Sequence, residues 1–119
     1  MVKRKLKPIL PSLREKKRYL VFEVISKGKI SFEGVYNAIM NAVLGFLGQF
    51  GAAQAGIIML ADKWDEQHQR GVIKVSHRSV DNLRASLIFI NKINNENVIV
   101  KSIGVSGILK KAVRRYLQE

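Results

Sequence analysis

Asp62, Asp65, Glu66 and His68 form the densest group of metal-ligating and acid–base side chains in the chain. Carboxylates grouped in this way can hold magnesium and activate water for phosphodiester hydrolysis. Their setting argues against that chemistry. They fall in the polar stretch Asp62–Arg70, with Lys63 and Arg70 at its flanks, between two apolar runs. That pattern predicts a solvated hairpin loop with no pocket to fix a catalytic carboxylate. Trp64 in the same loop implies either a protein contact or a ring folded back onto the core. The chain has no cysteine, hence no thiolate nucleophile, thiolate zinc site or disulfide framework. Two histidines and nine acids leave little else. The sequence therefore points to no catalytic residue and no metal site of its own.

The remaining functional signal is charge. Twenty-one lysines and arginines face nine acids, a net +12, and the excess sits at the two ends. Residues 1–18 carry Lys3, Arg4, Lys5, Lys7, Arg14, Lys16, Lys17 and Arg18 against Glu15. Residues 101–119 carry Lys101, Lys110, Lys111, Arg114 and Arg115 against Glu119. The body between is nearly neutral. Such a distribution suits docking on a polyanion.

Each end has a distinct device. Pro8 and Pro11 favour an extended N-terminal stretch, which reads as a basic RNA-binding arm over 1–18. From Gly107 a last helix is expected to about Leu117. At about 100° per residue, Lys110, Lys111, Arg114 and Arg115 share one face of about 140°. Ile108, Leu109, Ala112, Val113, Tyr116 and Leu117 fill the rest. Surface faces normally mix signs; four like charges suit a phosphate track. Gly104-Val105-Ser106-Gly107 leads into this helix. Ser106 and Gly107 suit either a close backbone approach to an anion or a plain N-cap. His77, at a strand end, reads as structural or as an RNA contact.

The elements between must hold these ends apart. Tyr19–Ser26 reads as a strand, and Ser31 caps a helix from about Phe32 to Leu47 that Gly48 and Gly51 end. Ala55–Leu60 and Gly71–Ser76 read as strands. A second helix runs from Ser79 to about Ile93, and Val98–Val105 is a fourth strand. The order is that of a ferredoxin-like, RRM-like βαββαβ α+β domain over 19–119, an antiparallel sheet with both long helices on one face. RRM domains stack bases on aromatics of the central strands. The strand Arg70-Gly71-Val72-Ile73-Lys74-Val75-Ser76-His77 has none. An aliphatic sheet packed against another element or a partner protein is the better expectation. No charge occurs from Gly34 to Ala61, but Asn37, Asn41, Gln49 and Gln54 and four glycines interrupt that run, so no membrane span is expected.

One resemblance carries these readings further. Leu6-Lys7-Pro8 and Pro11-Ser12-Leu13-Arg14-Glu15-Lys16-Lys17-Arg18-Tyr19, running into Phe22-Glu23, resemble the start of the archaeal ribonuclease P protein component 2 family. Gly104-Val105-Ser106-Gly107 before a Lys-Lys helix resembles that family's end. The resemblance implies a non-catalytic subunit of the ribonucleoprotein endonuclease that removes 5′ leaders from precursor tRNA. It implies ribonuclease P RNA and ribonuclease P protein component 3 as partners, precursor tRNA reached through the complex, and a cytoplasmic setting. Magnesium is expected at the catalytic site of the RNA, and no cofactor on this chain. The alternatives are a general RNA-binding module, such as a ribosome-associated protein, and a stand-alone metal-dependent nuclease. Self-association stays open, with the Gly48–Gly56 stretch and Trp64 as places for protein contacts.

Overall fold

A computed structural model describes residues 16–117. Five strands form one antiparallel sheet in the order β2-β3-β1-β5-β4. They are β1 Lys17–Ser26, β2 Ile58–Met59, β3 Arg70–Ser76, β4 Lys92–Ile93 and β5 Glu96–Ser106. Two helices, α1 Phe32–Ala55 and α2 Val80–Ile88, cover one face. The α3 turn, Leu109–Ala112, continues as a π-helical turn, Val113–Leu117, and packs on the other face.

Alternation along β1 explains the three layers. Leu20, Phe22 and Val24 point to the helices, where they meet Val35, Ile39, Val43, Leu83 and Leu87. Tyr19 and Val21 point the other way and join Val72 of β3 around Ala112 of α3. The aliphatic second face thus packs on the chain's own last helix. A bulge in β5 at the β1 crossing shifts the register, so that Val21 pairs with Gly104 and Phe22 with Ser102.

Several boundaries differ from the sequence expectations. β1 begins at Lys17, because Lys17 and Arg18 already pair with Ser76 and Val75. The first helix does not stop at Leu47. Gly48 adopts φ 76°, a left-handed value that only glycine takes without strain, and the helix breaks there and resumes. It runs on to Ala55, and Gly56 caps it in the left-handed conformation. Residues 49–55, expected to lie beyond the helix, are therefore helical, and the strand expected from Ala55 shrinks to Ile58–Met59. Ser31 caps α1 as expected, its hydroxyl accepting from Gly34 N at 3.2 Å. Ser79 makes no such bond at α2; Ser76 caps the short 3₁₀ turn before it instead. α2 ends at Ile88, and Lys92–Ile93 turns back on β5 through Asn94 and Asn95, both at positive φ. Paired positive φ values make the two-residue turn whose twist matches a hairpin.

Gln69 locks the β1–α1 connection onto the 61–70 loop. Its side chain, almost fully buried, accepts from Ile30 N (2.9 Å) and donates to Ile30 O (3.2 Å) and Glu66 O (2.9 Å). Its own carbonyl accepts from Val24 N at 2.8 Å. Gln69→Ala leaves a buried amide and two carbonyls short of partners. We expect it to cost about 2 kcal/mol, read as a lower urea midpoint with an unchanged slope.

Candidate nucleic-acid interface

The C-terminal helix carries the charge that the sequence isolates there. Leu109, Ala112, Tyr116 and Leu117 turn toward the sheet, Val113 is half-buried, and Lys110, Lys111, Arg114 and Arg115 are exposed. Amphipathic periodicity alone dictates that division. Two further contacts fix where the helix lies. Tyr116 lays its ring over Gly104, so closely that a Cβ there would sit 2.0 Å from Tyr116 Cζ. Arg70 Nη1 donates to Tyr116 O at 2.9 Å, placing a guanidinium at carbonyls near the end of the helix, where the dipole favours a cation. Glu23 holds the same guanidinium from the other side, 3.7 Å from Arg70 Nε. Nothing in the sequence marks Arg70 for this role. It becomes visible only when the sheet register sets it across from Glu23.

Arg18 brings the two basic ends together. Its Nη1 donates to Lys17 O at 3.1 Å, and its guanidinium lies beside Gly107, where a Cβ would be 3.5 Å from Nη1. Ser106 is committed to the local turn. Its Oγ accepts from Ile108 N at 3.1 Å and lies 3.0 Å from Ile108 O. Ile108, not Ser106, is the N-cap residue of α3. Lys16 is exposed, and its carbonyl accepts from His77 N at 2.8 Å and from His77 Nδ1 at 3.1 Å. A carbonyl only accepts, so Nδ1 carries the proton, and this ring anchors the entry to β1. The ammonium of Lys17 lies by Gly56, at the end of α1. Lys3, Arg4, Lys5, Lys7 and Arg14 lie outside the described residues.

The carboxylate group behaves as a turn. Asp65 Oδ1 accepts from Gln67 N (3.0 Å) and His68 N (3.2 Å), and Oδ2 pairs with His68 Nδ1 at 2.8 Å. Burial alone would raise the Asp65 pKa; the His68 side chain and the two loop amides outweigh it and hold the carboxyl below the usual range. Asp62 turns to Lys63, 3.8 Å away. Among the described residues, no group of three or more histidines and acids is placed to hold a metal ion. Trp64 folds back: its ring stacks on Phe22, centroids 6.1 Å apart, and tilts against Phe32 at 5.9 Å. Among the described residues no helix is long and apolar enough to cross a membrane.

This arrangement has counterparts. The pattern of the Rpp14/Pop5 family matches residues 18–117. The ribonuclease P protein component 2 of Thermococcus kodakarensis is 35% identical over 99% of this chain and 97% of its own length. That of Pyrococcus furiosus is 37% identical over 95% and 92%, and that of Methanosarcina mazei 35% over 96% and 95%. A chain in the cryo-EM structure of yeast ribonuclease MRP superposes with a TM-score of 0.63 at 15% identity, over 79% of this chain and 76% of that one. This last likeness is one of fold.

Proposed function

The chain belongs to the Rpp14/Pop5 family, and on that premise we propose that it is an RNA-binding subunit of ribonuclease P that supports the catalytic RNA in removing 5′ leaders from precursor tRNA. One observation carries the reading: a helix whose exposed face is entirely basic, docked by Tyr116 on Gly104 and Arg70 on Tyr116 O. Phosphates along an RNA strand meet that face, and counterions leave as they do. Arg18, beside Gly107, joins the N-terminal basic segment to it. Of the carboxylates that would serve a nuclease, Asp65 is spent on the 65–68 turn, Glu66 accepts from Trp64 Nε1, and Asp62 stands exposed beside Lys63. Magnesium chemistry belongs to the RNA in this reading.

The fold takes the finer form of a ferredoxin-like domain. β1 and β3 are central, β2 and β5 flank them, and β4 is an added edge strand. The protein partner, by this account ribonuclease P protein component 3, meets the outer side of the helical layer. There Phe46 packs on Phe89 with centroids 5.2 Å apart, yet Phe50, Ile88 and Phe89 stay 77%, 76% and 64% exposed. Apolar exposure on this scale marks a contact surface. The test is native isolation of the chain from its host. One structured RNA and a second small protein are expected to co-purify; bulk ribosomal RNA in their place would overturn the reading.

A further inference from the structure

Beside the basic face, α3, the turn that continues it and the Ala61–Lys63 turn border an open cleft of about 340 Å³ lined by Lys63, Leu109, Lys110, Val113 and Arg114. Three of its five lining residues are cations and none is an acid. The nearest competitor, Asp62, is 79% exposed and 3.8 Å from the Lys63 ammonium, a loose pair that solvent screens. The Lys63 side chain is only 34% exposed, so much of its stem is covered. The turn that carries it is fixed on both sides. Trp64 is stacked on Phe22 next door, and Leu60 shares the apolar cluster of Ala112, Leu109 and Tyr116.

Resting on the RNA-binding reading above, we infer that this cleft is a phosphate clamp for an RNA strand, with Lys63 as its second jaw facing Lys110 and Arg114. The chemistry matches a phosphodiester. An anionic oxygen takes charge-assisted bonds from several cations at once, and Leu109 and Val113 give the sugar an apolar wall. The cleft also divides the basic face: Lys110 and Arg114 close on the strand, while Lys111 and Arg115 do not line it.

The test compares Lys63→Gln, Lys92→Gln and the wild-type chain for binding to a ribonuclease P RNA transcript across a salt series. Lys92 lies on β4, at the opposite edge of the sheet. We expect Lys63→Gln to lower the log–log salt slope by about 0.7–0.9 and Lys92→Gln to leave it unchanged. An unchanged slope for Lys63→Gln, beside a flattened slope when the four helix bases become glutamine, would overturn the clamp and leave the helix reading standing. Unchanged slopes for both would overturn both. An unchanged RNA slope for Lys63→Gln, beside weaker capture of the protein partner by that variant in a parallel pull-down, would overturn the clamp and assign the cleft to an acidic protein surface.

Discussion

Gly104→Val is expected to lower the melting temperature by roughly 12 °C and to release the C-terminal helix from the sheet. The added side chain has nowhere to go. A single Cβ already falls 2.0 Å from Tyr116 Cζ and 2.4 Å from both Cε atoms, so the ring sits flat on the glycine backbone. Tyr116 must leave, and with it go the Arg70 bond to its carbonyl and the cover over Val21 and Val72. Forcing atoms into a packed interface costs about 3 kcal/mol, and at this chain length each kcal/mol moves the midpoint roughly 4 °C. A rigid ring cannot yield as a flexible side chain would. The control is a double-mutant cycle. Gly104→Ala should cost about 1–2 kcal/mol less when Tyr116 is already alanine. An equal cost in both backgrounds, by thermal melting, would show that the ring is not the obstacle.

Replacing Lys110, Lys111, Arg114 and Arg115 together with glutamine should separate function from stability. Their side chains are exposed, and they stand as two like-charged pairs four residues apart. Such pairs each cost a few tenths of a kcal/mol in a helix. Loss of the charges should therefore leave the fold intact and raise the midpoint slightly. RNA binding should move the opposite way. Four lost phosphate contacts reduce the log–log salt slope by about 3, so that between 50 and 200 mM salt the wild type should lose about sixty-fold more affinity than the variant. Filter binding over a salt series reads this directly. Parallel lines for the two proteins would show that the helix is not the phosphate track.

How far the sequence reveals these features depends on whether the controlling interaction is local. The basic face of the last helix was legible, because periodicity along one helix decides which residues meet solvent. The place on the sheet where it docks was not. Val21 and Val72 alternate as any two-sided strand would, and only the bulge in β5 brings Gly104 under Tyr116. The run from Gly48 to Leu60 reads from sequence as a break followed by a strand from Ala55, because short apolar runs do not distinguish helix from strand. Gly48 and Gly51 promise an end to the helix; Gly48 only interrupts it, and the helix resumes and runs to Ala55. The helix expected to reach Ile93 stops at Ile88, since Asn94 and Asn95 form a hairpin that pulls Lys92–Ile93 onto β5. Gln69, Lys63 and Arg70 looked like ordinary loop and edge polarity. Each acquires its role from a residue more than thirty positions away, at Ile30, Lys110 and Tyr116 respectively.

A chain that serves a catalytic RNA without cutting RNA itself must raise cleavage only when that RNA is present. Cleavage of precursor tRNA, reconstituted from ribonuclease P RNA, the protein partner and this chain in magnesium, tests it most directly. A gain in cleavage is expected when the chain is added, with a much smaller gain from the four-glutamine variant and an undiminished gain from Asp65→Asn. Cleavage by the purified chain without RNA, abolished by Asp65→Asn, would contradict it, as would the absence of any gain in the complete mixture.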